Sequence, residues 1–208
     1  MFRWRKPKKE PIKCSVVGDH ETSKKTELLS AYTAVSMSPE EYGPQVFANY
    51  PVNQMVGGES HSLWLADTDS REEFDGLRRL GHLHTDVILI CFSVVAPSSL
   101  EDVRQKWVPE VLRHAREDTP FMLVGTETDL RDDAETAENL AKNQQRPVTA
   151  DEGKELAQEL GAVAYMECSA KTLEGVNEVF HEALLVGLHT KFWNQLLESD
   201  SRRRCILI

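Results

Sequence analysis

The sequence predicts an α/β domain, a doubly wound and mostly parallel sheet flanked by helices, on three observations. Short runs rich in apolar and β-branched residues alternate with amphipathic segments. The runs are apolar almost without interruption, as strands covered on both faces are. Gly57-Gly58 separates two of them, where a tight turn requires positive φ.

Taken in order, residues 12–17, 63–66, 87–95, 121–124 and 163–168 read as buried strands. Residues 53–56, the two glycines and the run from Leu63 predict a hairpin, hence one antiparallel edge. Ser98 with Glu101 and Thr149 with Glu152 have the spacing of capping boxes and predict two helix starts. Val176, Val179, Phe180, Ala183, Leu184, Gly187 and Leu188 recur at helical spacing and predict a helix that covers one face of the sheet. In such a fold the ligand site lies beyond the carboxyl ends of the strands.

The chain of 208 residues is the size of one domain with short tails, which can bury a core without disulfides or metals. Its net charge of −10 excludes a general nucleic-acid binder. Arg3, Arg5, Lys6, Lys8, Lys9 and Lys13 crowd one end and Arg202, Arg203 and Arg204 the other, so both ends can meet an anionic surface. Cys14, Cys91 and Cys168 sit in apolar runs without metal-ligand spacing and are expected as core thiols in a reducing compartment. No run approaches the roughly 20 apolar residues of a membrane span, and the first basic residues lead into no apolar secretory region, so a cytosolic protein is expected. His82 and His84 read as surface-loop residues, and Trp64 and Trp107 as packing residues. Phe192, Trp193, Leu196 and Leu197 form an amphipathic stretch expected to pack against the domain or be disordered, the alternative being contact with a membrane or a partner.

Several segments resemble one family. Residues 13–19 (Lys-Cys-Ser-Val-Val-Gly-Asp), 42–50 (Tyr-Gly-Pro-Gln-Val-Phe-Ala-Asn-Tyr), 91–95, 106–110, 123–126 and 129–133 are similar to Rho-family small GTPases, nearest the Rac-like branch. Residues 134–147 match the extra helix that separates Rho proteins from other Ras-like proteins, and the match reappears at Cys205-Ile206-Leu207-Ile208. The resemblance implies a six-stranded P-loop small GTPase fold with a Rho-type insert helix. It implies a domain over 12–190 between a basic tail at 1–11 and a hypervariable tail at 191–208. It also implies GTP or GDP with Mg2+ as ligand and Rho-type effectors and regulators as partners of a monomer.

The family's functional positions are only partly kept. A phosphate loop wraps phosphates with backbone N–H groups that glycines leave free, and adds a lysine and a hydroxyl at the helix start. Here the loop runs from Gly18 through His20, Glu21, Ser23 and Lys24 to Lys25-Thr26. In one register Ser23 replaces the second glycine and Lys25 the hydroxyl. In the other Lys25 and Thr26 keep their places, Lys24 replaces the glycine, and the loop is one residue long; Leu28-Leu29 favour this one. Glu21 then stands near the phosphates, where two charges at ~4 Å repel by about 4 kcal/mol at an effective dielectric near 20. Gln45 stands for the first switch's magnesium-binding threonine, and Met37 or Ser38 for the aromatic over guanine. Asp67-Thr68-Asp69-Ser70-Arg71-Glu72 stands for the second switch. There Asp67 keeps its magnesium role with Thr26, but Arg71 replaces the water-orienting glutamine and cannot accept a hydrogen bond.

The base end is closer to pattern, with Thr126 and Asp129 in the first guanine motif and Ser169-Ala170-Lys171 in the second; Glu127 stands where many relatives carry lysine. The expected nucleotide-binding set is therefore Gly18, Lys24, Lys25, Thr26, Thr126, Asp129, Ser169, Ala170 and Lys171, with no catalytic residue. Tyr42, Val46, Phe47 and Tyr50 are expected to face effectors, with Ala48 in place of an aspartate. Cys205 is expected to be prenylated and, with the arginines, to hold the protein on anionic plasma-membrane or endomembrane leaflets facing the cytosol. The expectation is a hydrolysis-deficient GTP-binding signalling protein acting on actin, cell shape or vesicle traffic; the alternative is a pseudo-GTPase that binds no nucleotide.

Overall fold

The computed structural model describes residues 10–19, 21–36 and 49–205. Its sheet has six strands: β1 (Ile12–Val17), β2 (Asn49–Val56), β3 (Glu59–Asp67), β4 (Val87–Ser93), β5 (Phe121–Thr126) and β6 (Ala164–Glu167). Their order is β2-β3-β1-β4-β5-β6, every pair parallel except the β2–β3 hairpin. The expected doubly wound fold is thus the observed one. Gly57 and Gly58 make the hairpin turn at φ of +58° and +79°.

Every residue of β4 is buried, as expected for a central strand with helices on both faces. One face is covered by α1 (Lys25–Ser36) and α7 (Val176–Cys205), with Tyr32 stacked on Phe180 at 4.1 Å between ring centroids. The other is covered by α4 (Val108–His114), the π-helical turn Val103–Trp107 before it, and α6 (Ala150–Leu160), around Phe92, Trp107 and Leu156. Helices α2 (Asp75–His82), α3 (Pro97–Asp102) and α5 (Ala134–Lys142) complete the set, α5 falling in the segment expected to hold the insert helix. Cys14, Cys91 and Cys168 are buried thiols, and burial pushes the Cys168 thiol up to about 12.

Three local expectations are corrected. The Thr149–Glu152 capping box is present, but Ser98 caps nothing. Pro97 occupies the first turn of α3, Ala96 precedes it, and the next serine, Ser99, hydrogen-bonds back to Ser93 and Ala96. Trp64 is 44 % exposed on the outer part of the sheet, not packed in the core. Phe192, Trp193 and Leu196 are exposed on α7 at 57, 51 and 43 %, not packed against the domain.

Gly153 in α6 lets the ring of Tyr165 lie against the helix backbone. Tyr165 donates to Glu167, which also accepts two hydrogen bonds from Arg131, and these fix the end of β6. Glycine-to-alanine in a helix ordinarily stabilises by about 1 kcal/mol. Gly153→Ala is expected to do the reverse, lowering stability by about 1–3 kcal/mol, because the methyl group overlaps the ring. Urea unfolding of the two proteins checks the sign.

Candidate functional site

The carboxyl ends of β1, β3, β4 and β5 converge on the segment between β1 and α1. Gly18 leaves β1 at φ +148°, and a Cβ there would come within 2.6 Å of the Cys91 carbonyl and 2.7 Å of Ser23 Oγ, so only glycine fits. The Asp19 carboxylate then turns over its own loop and accepts hydrogen bonds from the amides of Glu21 (3.3 Å) and Thr22 (3.4 Å) and from the Thr22 hydroxyl (3.1 Å). Ser23 is fully buried, its hydroxyl donating to the Asp19 carbonyl. Lys24 takes φ +52°, the left-handed backbone that glycine adopts without strain.

Helix α1 begins at Lys25, and its first turn is tied to the end of β3. Lys25 is 2 % exposed and donates to Asp67 Oδ1 at 2.8 Å, while the Thr26 hydroxyl donates to Asp67 Oδ2 at 2.9 Å. Thr26 and Asp67 are oxygen donors of the kind Mg2+ takes. The loop amides of residues 21 and 22 fit a phosphate less well, since the protein's own carboxylate already occupies them.

The segment after β3 is held by side chains. Thr68 donates to the Val16 carbonyl at 2.7 Å, and Ser70 is buried. Arg71 grips the Asp69 carboxylate in a fork, pairs with Glu73 at 3.2 Å and lies over the Phe74 ring. Arg78, 1 % exposed, donates to Glu110 (2.6 and 2.8 Å), to Asp75 (2.5 Å) and to the Asp69 carbonyl (2.7 Å), with Trp107 at 5.2 Å under its guanidinium. His82 is fully buried at the end of α2 and faces Glu110 at 3.3 Å, correcting its placement on a surface loop; His84 is exposed. Burial opposes ionisation of Glu110, but the hydrogen bonds from Arg78 and His82 outweigh it and hold the carboxyl at about 2.

Next to the loop opens a cavity of about 580 Å³ whose walls include Lys24, Thr26, Ser30, Glu127, Asp129 and Lys171. Asp129, on the 3-10 turn Thr128–Leu130, accepts from Ser169 Oγ at 2.6 Å, with Lys171 Nζ 3.8 Å from its other oxygen. Ser169 Oγ also accepts from the amides of Lys171 and Thr172. Ala170 lines the cavity beside Lys171. The Thr126 hydroxyl points inward, within reach of the Ser23 (2.9 Å) and Phe92 (3.0 Å) carbonyls. Glu127 adopts left-handed backbone at φ +61° and accepts from Ser93 Oγ at 2.6 Å.

Of the residues singled out from sequence, Lys24, Thr26, Thr126, Asp129, Ala170 and Lys171 meet at this cavity, and Ser169 holds Asp129 from behind. Gly18 and Lys25 shape the adjoining loop. Tyr50 lies in β2, half-buried against the core, and Cys205 is the last residue of α7. Tyr42, Val46, Phe47, Gln45, Ala48, Met37, Ser38 and His20 lie outside the described residues. Sequence reasoning missed Asp19, although an aspartate two and three residues before amides it can accept from is the signature of an Asx turn. It also missed the Ser93–Glu127 bond, which joins residues 34 apart and leaves no local trace.

The family model described as Ras family matches residues 13–186, most of the chain, and spans the loop and the cavity described above.

Arg78→Ala is expected to cost about 3–5 kcal/mol of stability, because it strands a buried carboxylate. Glu110 titrates below the ordinary carboxylate value of about 4.3, so its contribution is complete above roughly pH 5 and fades as pH falls toward 2. Denaturant midpoints across that range should fall more steeply in the parent than in Arg78→Ala.

Proposed function

Since this chain belongs to the Ras family of small GTPases, we propose that it is a small GTP-binding signalling protein of Rho type that holds guanine nucleotide chiefly by the base and hydrolyses it very slowly or not at all. The observation that carries this reading is the unequal state of the two ends of the site. At the base end a cavity of about 580 Å³ has the Asp129 carboxylate, set by Ser169, at its wall, able to accept from the N–H groups of guanine. At the phosphate end Lys25 and Thr26 are bonded to Asp67, and Asp19 occupies loop amides. A phosphate group entering there must displace one carboxylate and meet the charge of others. When bound, Mg2+ neutralises phosphate charge, and Thr26 with Asp67 would hold it.

No side chain in the described site is placed to orient an attacking water. Arg71, at the glutamine's position, is engaged by Asp69 and has no lone pair to accept a water proton. A protein of this kind is regulated by abundance or location in place of a hydrolytic cycle. Effector contact through Tyr42, Val46, Phe47 and Tyr50, action on actin, cell shape or vesicle traffic, and membrane attachment through prenylated Cys205 with Arg202, Arg203 and Arg204 belong to the same proposal, on the resemblance to Rho proteins. The second reading, a pseudo-GTPase that binds no nucleotide, is favoured by the Asp19 contacts alone.

Purified protein should release little or no nucleotide on denaturation and bind labelled GDP and GTP weakly, with at most a few-fold dependence on magnesium. Asp129→Ala should weaken that binding about tenfold or more, the scale of a hydrogen bond to a charged group. Stoichiometric, tightly held nucleotide would overturn the base-dominated reading, and no binding at millimolar nucleotide would favour the pseudo-GTPase. Single-turnover hydrolysis should be undetectable with or without a Rho-type activating protein. In cells, Cys205→Ser should lose membrane association.

A further inference from the structure

The cavity beside the loop ends before the loop does. Its walls run from Asp129, Ala170 and Lys171, on the turns that follow β5 and β6, to Thr26 and Lys24 at the start of α1. Of the described loop residues, Gly18, Asp19, Glu21, Thr22 and Ser23 are not among those walls, and neither is Asp67. At about 580 Å³ the space is of ordinary size for a small-molecule site. A ligand held by its base at Asp129 extends toward Lys24 and Thr26, and beyond them the cavity does not continue.

The donors at that end differ in what they have left to give. Lys25 is 2 % exposed and donates to Asp67 Oδ1, and the Thr26 hydroxyl donates to Asp67 Oδ2. The amides of Glu21 and Thr22 and the Thr22 hydroxyl donate to the Asp19 carboxylate. Lys24 is unlike them. It stands on the cavity wall with its side chain 37 % exposed, and its ammonium pairs at 3.5 Å with Glu27, itself 54 % exposed. A surface pair of this kind contributes little, so a bound anion can replace it. One such cation suits one phosphate group. A second and a third must go to the loop, where Asp19 already holds the donors and repels any added anion.

Resting on the base-held reading, we infer that the ligand of this site is a guanine nucleoside with at most one phosphate, and that Asp19 is the residue that sets this limit. Its carboxylate presents acceptor oxygens and negative charge to the loop donors that a polyphosphate would use. The two ends of the site thus choose different things: Asp129 selects the base, and Asp19 selects the number of phosphates.

Full-length protein is titrated calorimetrically, with magnesium present, with guanosine, guanosine monophosphate, GDP and GTP, and with adenosine monophosphate as control. The guanosine monophosphate is expected to bind tightest, guanosine within a few-fold of it, and GTP about tenfold or more weaker, as added charge against nearby carboxylates demands. Asp129→Ala should weaken all the guanine ligands alike. Asp19→Ala should move the ratio of GTP to monophosphate affinity about tenfold or more toward GTP, because it frees the donors and removes the charge. Asp19→Asn keeps an acceptor oxygen for the amides and removes only the charge, so it should move the ratio less. The parent's ranking tests the ligand, and the variants, with thermal melts to check that they fold, test Asp19. GTP binding the parent as tightly as the monophosphate, or more tightly, would overturn the inference and leave the base-held reading standing as long as Asp129→Ala weakens both. A ratio unchanged in both Asp19 variants would overturn the role given to that residue. No binding of any guanine ligand at millimolar concentration would overturn the base-held reading, and this inference with it.

Discussion

A buried ammonium group organises the site. Lys25 is almost wholly withdrawn from water, and a lone charge in that position would cost several kcal/mol, so its bond to Asp67 is obligatory once α1 packs on the sheet. That bond fastens the start of α1 to the end of β3. Thr26 joins the same carboxylate, and the Thr126 hydroxyl reaches back to the Ser23 carbonyl, so the ends of β1, β3 and β5 are locked in mutual register. The loop between Gly18 and Lys25 has no freedom to set its own path; it spans a gap whose two sides are already fixed.

Within that frame, polar groups around the loop and the cavity are engaged by the protein's own side chains. Asp19 takes loop amides, Ser23 turns its hydroxyl to the main chain, Arg71 locks onto Asp69, and Glu127 bonds Ser93. Each contact gives a buried or crowded polar group the partner it requires. The base cavity differs: Asp129 is positioned by Ser169 yet remains on the cavity wall.

The fold was legible because its signals are local or repetitive. Strand β4 is apolar at nearly every position, the Gly57-Gly58 turn has one backbone solution, and the Thr149–Glu152 box closes within a single helical turn. Ser98 and Glu101 have the same spacing and failed because Pro97 had already fixed where α3 begins. His82 could not be placed from sequence, since its burial depends on Glu110, which lies 28 residues later on a different helix. Trp64 and the α7 aromatics were misjudged for the converse reason: large apolar residues are usually buried, and only the packed structure shows which faces find no neighbour. At the site, residue types singled out Lys24, Thr26, Thr126, Asp129, Ala170 and Lys171, which line one cavity, but the Asp19 and Glu127 contacts depend on side-chain direction, which spacing does not encode.

The length of α7 has a mechanical consequence. From Val176 to Cys205 the helix is continuous for 30 residues, about 45 Å at 1.5 Å per residue, and it is clamped to the sheet only over its first half. A flexible segment of the same free length would let its end wander back over the domain surface, with a span growing only as the square root of residue number. A helical rod holds its far end away from the body, and the motions left to it are bending and swivelling about its root. Cys205 therefore samples an arc at nearly constant radius, and any attachment made there fixes the height of the domain above it while leaving its tilt to the root of the helix.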